Sequence, residues 1–466
     1  MTATDKLPAA MRADLDRIFV HVAANQDNFV RRVMDYVRHP SISAHNIGIT
    51  EVAAMLVKML TDIGLDARTM PTAGHPMVLG RWQKKPGAPT ILLYGHYDVQ
   101  PPDPLEAWVS PPFEPTIRNG RIYARGIGDN KGQHFAQMLA LETWLKIAGT
   151  LPCNVIFLLE GEEEIGSPQI ANFVRENAAL LKADLVVTAD GPIHYSGCPT
   201  LTFGVRGVAS FELRARGAKR DLHSGNYGGV APNPIWKLVH LLGTMKNAEG
   251  EITIDGFHDN VIPPTELEKA AAKKLPFEPA AVMAELSIQR LDAPHARPVA
   301  DRLMFHPTLT INGFHGGYGG PGSKTVLPSE AFVKCDVRLV EAQTPEEIFA
   351  KITMHIKRHA PEVEFIPQSG MLPSKTSLES RFAGPIVQAV VDAQGVEPMV
   401  YPTAGGSLPD YVFTKILGID AFVLPYANHD EANHAPNENL EIDRFVKGIR
   451  TGAALLARIG AIGQVG

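Results

Sequence analysis

The sequence predicts an α/β fold, in which a mostly parallel sheet with helices on both faces is interrupted by a smaller, inserted α+β domain. Short, almost wholly apolar runs alternate along the chain with segments whose apolar residues recur at helical spacing. Such runs are typical of strands that are buried on both faces of a parallel sheet. Between about residues 203 and 370, apolar and polar residues alternate instead, which favours an antiparallel sheet with one solvated face.

The predicted elements can be placed in chain order. Apolar residues at helical spacing predict two amphipathic helices at the start, over residues 11–39 and 49–63. The first domain continues with predicted strands at 90–99, 154–164, 183–191 and 420–429 and helices at 134–148 and 443–459. The inserted domain has predicted strands at 208–217 and 330–340, a helix at 233–245 and a glycine-rich connection at 313–324. We therefore expect one domain from residues 1–202 and 376–466, and an inserted domain from residues 203–375.

The bulk composition excludes several classes of partner. The 466 residues include 20% charged residues of both signs and carry a formal net charge of -6 at pH 7, so there is no basic field for a nucleic acid or an anionic membrane. The three cysteines are too few and too scattered for a disulfide framework or a thiolate metal site. The N-terminal segment lacks the apolar core of a signal peptide, and no window reaches the roughly 18 apolar residues of a membrane span. We expect a cytoplasmic protein with a small-molecule or peptide partner.

Acidic and histidine residues lie where the predicted strands end. The candidates are His96, Asp98, Glu163, Glu164, Asp190 and His434, together with Asp129 in a glycine-flanked loop before a helix. In open α/β sheets, ligands bind just beyond the carboxyl ends of the strands. Each residue has a local explanation, such as a helix cap for Asp129, but clustered carboxylates would repel one another without a bound cation. Two imidazoles, several carboxylates and no thiolate suit zinc, manganese or cobalt in a hydrolytic site.

The adjacent residues Glu163 and Glu164 indicate two different roles in one site. In a two-metal site, a bridging aspartate is joined at each metal by one histidine and one carboxylate, and the ions activate a water molecule. One glutamate of the pair then binds metal, while the other is free to act as general base and later as general acid. Asp98, two residues after His96, is placed to orient that imidazole ring.

Several motifs follow one another in a fixed order along nearly the whole chain. They are YGHYDVQP, GIGDNKG, EGEEEIGS, TADG, DLHSGNYGG, TVLP followed by VRLV, and HAPNENL. Together they resemble the dinuclear zinc metallopeptidase family that includes cytosolic non-specific dipeptidase, carnosinase, carboxypeptidase G and aminoacylase, and especially its dipeptidase branch. The resemblance implies two divalent metal ions, zinc in the first place, with manganese or cobalt as alternatives.

The resemblance also implies a role for each residue of the cluster. The implied metal ligands are His96, Asp190 and a bridging Asp129 at one ion, and His434, Glu164 and the same Asp129 at the other. Glu163, the first glutamate of EEIGS, is the implied general base, and Glu162 is left without an assigned role, solvated or hydrogen-bonded. The family further implies a cis peptide bond after Asp129. The chain departs from the pattern at Asn130, where dipeptidase relatives often carry a second aspartate.

The inserted domain is, by the same resemblance, a lid and a dimer interface. His223 in DLHSG resembles the lid histidine that reaches the neighbouring subunit's active site and supports the oxyanion. Its local alternative is a loop histidine bonded to Ser224 or to backbone. Arg338 resembles the lid arginine that binds the substrate carboxylate, although its pattern alone indicates a surface strand residue. Thr325 and Ser407 resemble further substrate contacts of the dipeptidase branch.

The sequence therefore predicts a homodimeric metallohydrolase that cleaves an amide bond beside a free carboxylate, as in dipeptides. A first alternative keeps the two-metal site but acts on N-acyl or N-carbamoyl amino acids. The two differ in how the pocket treats the amino end of the substrate, which the sequence does not show. A second alternative is a non-catalytic relative that keeps the fold as a scaffold or binding protein. Loss of a ligand or of the base would mark it, and the chain has lost neither.

Overall fold

The computed structural model describes residues 7–291 and 299–462, which form two compact units. The first unit contains residues 7–204, 375–401 and 412–462. The second unit contains residues 205–291, 299–374 and 402–411. The chain thus enters the second unit twice, and the short second passage carries Ser407.

Helices and strands occur in both units. The helices are α1 (Ala9–Ala24), α2 (Gln26–Val37), α3 (Ile49–Asp62), α4 (Lys131–Ala148), α5 (Ile170–Glu176), α6 (Ser224–Tyr227), α7 (Pro234–Met245), α8 (Glu266–Lys274), α9 (Pro279–Glu285), α10 (Val299–Phe305), α11 (Pro345–His359), α12 (Ala383–Gln394) and α13 (Ile442–Gly460). The strands are β1 (Asp66–Met70), β2 (Met77–Trp82), β3 (Thr90–His96), β4 (Thr116–Arg118), β5 (Arg121–Tyr123), β6 (Asn154–Glu160), β7 (Leu185–Thr188), β8 (Thr200–Thr202), β9 (Gly204–Val205), β10 (Gly207–Arg216), β11 (Leu222–His223), β12 (Thr308–Gly316), β13 (Val326–Leu327), β14 (Glu330–Leu339), β15 (Glu364–Met371), β16 (Ser374–Lys375), β17 (Met399–Tyr401), β18 (Asp420–Val423) and β19 (Asn439–Glu441).

The first unit is built on an eight-stranded sheet with the order β1-β2-β6-β3-β7-β18-β8-β17. The central strands β6, β3, β7 and β18 are parallel to one another, and so are β8 and β17. The edge pair β1 and β2 runs antiparallel. Strand β6 is buried along its whole length, as its continuous apolar run predicts. The prediction of an α/β fold with a mainly parallel sheet is confirmed.

The helical stretch at 11–39 is divided, so the chain opens with three helices and the prediction of two is wrong. Helix α1 ends and α2 begins on either side of Asn25. That residue has non-helical dihedral angles (φ -115°, ψ 13°), and its Nδ2 donates to the backbone oxygen of His21 at 2.8 Å. A short amide side chain that bonds to the preceding turn competes with the backbone bond that would continue the helix.

The second unit is built on a four-stranded antiparallel sheet with the order β12-β14-β10-β15. Its buried face packs on helices α7 and α11, with Leu238 and Ile352 contributing to the same apolar core as Phe211. Residues 313–316 of the glycine-rich stretch belong to strand β12, where Gly316 pairs with Ala331. The prediction of a connection is therefore wrong for these four residues, because strand β14, later in the chain, supplies their hydrogen-bond partners.

Among the described residues, no helix is both long enough and apolar enough to cross a membrane.

Candidate metal centre

Three parallel strands of the first unit have their carboxyl ends on the same side of the sheet. β3 ends at His96, which pairs in register with Glu160 at the end of β6, and β7 ends two residues before Asp190. Asp129 comes from the loop before α4, and His434 from the loop between β18 and β19. Residues that follow parallel strands in register emerge at the same edge. This arrangement explains how residues from five distant segments meet.

His96, Asp129 and Asp190 form a first group of potential metal ligands. Nε2 of His96 lies 3.0 Å from Oδ1 of Asp129 and 3.5 Å from Oδ2 of Asp190. All three residues are buried, and one ligand atom from each lies within 4.8 Å of the others. That spacing is small enough for one metal ion to contact all three atoms at ordinary ligand distances of about 2.0–2.2 Å.

Asp129, Glu164 and His434 form a second group. Nε2 of His434 lies 3.0 Å from Oδ2 of Asp129 and 3.0 Å from Oε2 of Glu164. Asp129 therefore offers one carboxylate oxygen to each group, which is the arrangement of a carboxylate that bridges two ions. The side chain of His434 is 55% exposed, whereas that of His96 is fully buried. The second group is thus the one open to solvent.

Asp98 supports both His96 and the turn that carries Glu163 and Glu164. Nδ1 of His96 lies 3.4 Å from Oδ1 of Asp98 and 3.1 Å from its backbone oxygen, which is the contact expected of a residue that orients the ring. The two carboxylate oxygens of Asp98 also accept hydrogen bonds from the backbone N–H groups of Glu163 (3.2 Å) and Glu164 (3.0 Å). Gln100, which sequence reasoning missed, donates from Nε2 to Oε2 of Glu164 at 2.9 Å.

Glu163 is half-buried beside the two groups, and its carboxylate has no hydrogen-bond partner among the residues that the structure describes. Burial raises the pKa of Glu163 well above its usual value, and the negative charges of Asp190, Glu164 and Asp129 raise it further. Nearby cations favour the ionised form of a carboxylic acid. A metal ion at this edge would therefore turn Glu163 into an available base.

The other groups share protons when no cation is present. Burial raises the pKa of Glu164 to about 7, and the charge of Asp129 contributes to this rise. Hydrogen bonds to Asp129 and Glu164 raise the pKa of His434 to about 10. Burial alone would lower the pKa of His96, but hydrogen bonds to Asp129 and Asp190 hold it well above its usual value. Without a cation, these raised pKa values favour the protonated forms of Glu164, His434 and His96. A divalent cation would balance the negative charge of the carboxylates in place of those protons, so the donor set fits a divalent metal.

Glu438 fixes the loop that carries Asp129. Its buried carboxylate accepts hydrogen bonds from the backbone N–H groups of Gly128 (2.8 Å) and Asp129 (3.0 Å) through Oε1. Through Oε2 it accepts from the N–H of Gly126 (2.9 Å) and from Nη1 of Arg125 (2.8 Å). Sequence reasoning noticed the motif HAPNENL but gave Glu438 no role. No local pattern reveals that its partners lie about 310 residues earlier in the chain.

Asn130 ties the same loop to two strand ends. Its Oδ1 accepts from the backbone N–H of His96 at 3.2 Å, and its Nδ2 donates to the backbone oxygen of Ala189, next to Asp190, at 2.5 Å. The peptide bond between Asp129 and Asn130 is cis, as the family resemblance implies. An amide serves both contacts because it can accept and donate at once.

The remaining acids of the EGEEE stretch and its surroundings are buried. Burial raises the pKa of Glu160 to about 8, and its carboxylate accepts from the hydroxyl group of Tyr94 at 2.6 Å. Glu162 accepts from the backbone N–H of His75 at 3.0 Å, so it is hydrogen-bonded and not solvated. Glu431, which sequence reasoning missed, is 1% exposed, and neither of its carboxylate oxygens has a hydrogen-bond partner in the described part of the chain.

The predicted substrate contacts all lie in the second unit, in two groups. His223 and Thr325 are exposed, with 3.5 Å between Nε2 of His223 and Oγ1 of Thr325. Nδ1 of His223 accepts from the backbone N–H of Gly225 at 2.9 Å. One ring nitrogen is therefore hydrogen-bonded to backbone, as the alternative of a loop histidine expects. In the other group, Nη1 of Arg338 donates to Oγ of Ser407 at 2.8 Å.

Two imidazoles and three carboxylates surround adjoining positions, and beside them lies the Glu163 carboxylate, which has no partner in the part of the chain that the structure describes. This arrangement is that of a metal-dependent hydrolase. The model of Peptidase family M20/M25/M40 matches residues 92–458, and the chain belongs to this family. This match confirms the family resemblance seen in the sequence, and the metallodipeptidases among the relatives confirm its dipeptidase branch.

Curated relatives and solved structures agree over nearly the whole chain. The Cys-Gly metallodipeptidase dug1 of Schizosaccharomyces pombe is 29% identical, and the alignment covers 94% of this chain and 97% of the relative. The Beta-Ala-His dipeptidase of Rattus norvegicus is 26% identical, with 96% of each chain covered. The structure of the M20 family metallo-carboxypeptidase Sso-CP2 from Sulfolobus solfataricus has a TM-score of 0.87 at 34% identity, covering 93% of this chain and 99% of that one. The structure of the di-peptidase Dug1p from Saccharomyces cerevisiae has a TM-score of 0.82 at 26% identity, covering 96% and 98%.

Proposed function

We propose that this chain is a dipeptidase that holds two divalent metal ions, zinc in the first place, and hydrolyses the amide bond of dipeptides with a free C-terminal carboxylate. The observation that carries the proposal is the sharing of Asp129 between the His96–Asp190 pair and the Glu164–His434 pair, with Glu163 alongside. The names of the metallodipeptidase relatives support the substrate class.

The chain's own side chains supply the proton transfers in this proposal. Divalent metal ions would provide Lewis-acid activation of a water molecule and charge stabilisation at the peptide carbonyl oxygen. Glu163 accepts the proton of the attacking water at a carboxylate oxygen and then donates it to the nitrogen of the leaving amine. Asp98 keeps His96 and the turn at Glu163–Glu164 in place through the hydrogen bonds that its carboxylate accepts.

Substrate recognition is assigned to the second unit, which we propose is a lid. Arg338 offers a planar guanidinium suited to the substrate's C-terminal carboxylate, and its hydrogen bond to Ser407 fixes the orientation of that group. The exposed side chains of His223 and Thr325 are proposed to contact the substrate, with His223 supporting the oxyanion in the active site of a neighbouring subunit.

A homodimer formed through the second unit is part of the proposal. β12 is an edge strand of its sheet and exposes Ile311 and Phe314, and the neighbouring helix α7 exposes Trp236 and Val239. An unpaired strand edge beside exposed apolar side chains is a template for association. Sedimentation velocity tests this part. A dimer that Trp236→Asp converts to monomer is expected, and a wild-type monomer at micromolar concentration contradicts it.

A cytoplasmic location is proposed as well. The three cysteines, Cys153, Cys198 and Cys335, are all free thiols. Free thiols without disulfides are usual in a reducing compartment.

A carboxypeptidase is the second candidate function, because the 34% identical structural relative carries that name. A dipeptidase and a carboxypeptidase both need a free C-terminal carboxylate, and they differ in the length of peptide that the amino-terminal side of the site accepts. An N-acyl amino acid amidohydrolase also differs from a dipeptidase in what the amino-terminal side of the site accepts.

The deciding experiment is a hydrolysis panel with protein stripped of metal and reloaded with zinc, manganese or cobalt. The substrates are free dipeptides, tri- and tetrapeptides, and N-acetyl, N-succinyl and N-carbamoyl amino acids. Metal-dependent cleavage of dipeptides that is lost on blocking the amino end supports the dipeptidase. Preference for longer peptides moves the function to a carboxypeptidase, and cleavage only of blocked substrates moves it to an amidohydrolase. No cleavage by fully metal-loaded protein favours the scaffold alternative.

A further inference from the structure

Arg206, at the start of the second unit, is a buried arginine that forms no ion pair with a carboxylate among the residues that the structure describes. The residue is 6% exposed, and its Nε donates to the backbone oxygen of Gly405 at 2.9 Å. Its Nη1 is buried and has no hydrogen-bond partner among the described residues. Buried charged groups are normally paired and hydrogen-bonded, because an uncompensated charge away from water is costly. The unused donor therefore indicates that an anion belongs beside this guanidinium.

A second guanidinium lies close to the first. Burial first, and the positive charge of Arg338 second, lower the pKa of Arg206 to about 10. Asp336 offsets this repulsion, with Oδ2 3.3 Å from Nε of Arg338. In the described part of the chain, two cationic side chains thus lie near one anionic side chain, which leaves one positive charge uncompensated beside the buried Arg206.

The two arginines are also fixed on the same three-residue segment, Gly405–Ser407. The side chain of Arg206 donates to Gly405, and its backbone N–H donates to the oxygen of Gly406 at 3.0 Å. Arg338 holds the third residue, Ser407, through Nη1. The two charged groups are therefore positioned before any ligand arrives.

We propose that Arg206 and Arg338 together form the anion site for the C-terminal carboxylate of the substrate, with Arg206 as its second guanidinium. This inference rests on the proposed function, because it deepens the assignment of Arg338 as the carboxylate-binding residue. A carboxylate between two guanidiniums satisfies the unused donor, balances the extra positive charge and is held by charge-assisted hydrogen bonds. An amide or ester at the same position offers no charge and is rejected.

The main test compares wild-type protein with Arg206→Gln and with the matched control Arg216→Gln, which changes an exposed arginine at the end of β10. Metal-loaded proteins are assayed on a dipeptide and on the corresponding dipeptide amide. For Arg206→Gln, we expect KM for the dipeptide to rise by about 10- to 100-fold, with a much smaller change in kcat. The ratio of kcat/KM between dipeptide and amide should fall by the same factor. Arg216→Gln should match the wild type.

A structural role for Arg206 would give another result. If Arg206 only shapes the segment Gly405–Ser407, dipeptide and amide lose activity equally and their ratio stays constant, which overturns the proposal. Arg206→Lys addresses a possible folding defect of the Gln variant. It keeps the charge with fewer donors, so a dipeptide KM between those of the wild type and the Gln variant is expected, and an unchanged KM overturns the proposal.

A binding measurement separates this inference from the proposed function. Inorganic phosphate is the probe, and the readout is the thermal unfolding midpoint of metal-free protein. Phosphate should stabilise the wild type and Arg216→Gln but not Arg206→Gln. If wild-type protein cleaves no dipeptide yet shows this pattern, the anion site stands and the dipeptidase proposal fails. If dipeptides are cleaved and phosphate stabilises all three proteins equally, the anion site is refuted and the dipeptidase proposal stands.

Discussion

The two units hold their functional candidates in different ways. In the first unit, His96, Asp129 and Asp190 are buried, and side chains from other segments accept hydrogen bonds from the backbone N–H groups of His96 and Asp129. In the second unit, His223 and Thr325 are exposed and contact each other at 3.5 Å. The difference suggests that the first region is built in advance for metal, whereas His223 and Thr325 acquire their partners when substrate or a second subunit is present.

Glu163→Gln tests the proposed general base in the first unit and should have the largest effect on activity. The amide cannot accept the proton of the attacking water, so we expect kcat to fall by about 10²- to 10⁴-fold, while metal content stays at the wild-type level. Turnover and metal content by atomic absorption measure the two quantities. Glu162→Gln is the matched control, because its Oε1 can still accept from His75 and its activity should not change. Substantial activity of Glu163→Gln would remove the general-base role.

His223→Ala tests the corresponding part of the second region. Loss of an oxyanion contact should lower kcat by about 10²- to 10³-fold, with metal content unaffected. Mixing inactive His223→Ala and Glu163→Gln chains tests the contribution across subunits. Mixed dimers should regain part of the activity, because one of their two sites combines an intact Glu163 with an intact His223. No recovery, with mixed dimers demonstrated by mass spectrometry, would contradict a histidine that acts across the interface.

Glu438→Gln tests whether the first region is preorganised by residues that touch no metal. The amide keeps an acceptor for Gly128 and Asp129 but faces the N–H of Gly126 and Nη1 of Arg125 with a donor. We expect metal affinity to weaken by about 10- to 100-fold. Competition with a fluorescent chelator measures the affinity. Full activity at saturating metal is expected, and a loss of activity that metal cannot restore would argue against a positioning role.

Ser407→Ala should have the smallest effect and sharpens the description of the second region. It removes one hydrogen bond from Arg338, which is expected to raise KM by about 2- to 10-fold and to leave kcat nearly unchanged. Steady-state kinetics on a dipeptide gives both values. A change in kcat alone would show that Ser407 does not act through the carboxylate-binding arginine.

Features carried by local patterns were predictable from the sequence. The apolar runs predict the strands, and His96 and Asp190 stand at or just after the ends of two of these runs. Their meeting at the carboxyl ends of the parallel strands therefore follows from strand direction alone. The roles of Arg338, His223, Thr325 and Ser407 came from family resemblance, because nothing in their local pattern distinguishes them from surface residues. The break at Asn25 was missed, since apolar spacing continues through it while its side chain bonds back to His21.

Residues whose partners are distant in sequence were not predictable. Glu438, Asn130 and Arg206 act through backbone groups that lie tens or hundreds of positions away. Strand β12 extends into the glycine-rich stretch for the same reason, because β14 supplies its hydrogen bonds. Composition and periodicity describe a residue's own neighbourhood, so contacts of this kind appear only once the chain is folded.

The hydrogen bonds between Glu438 and the Asp129 loop also constrain the order in which the site can form during synthesis. The carboxylate and the N–H group of Asp129 that it binds are 309 residues apart in sequence, and His434 belongs to the same late segment. At about 5–20 residues per second, a ribosome needs at least about 15 seconds between making the loop and making its anchor. A nascent chain therefore passes through a long interval in which Asp129 has been made but its anchor has not. The group of potential ligands that contains His434 can therefore be completed only after residues 434–438 have been made.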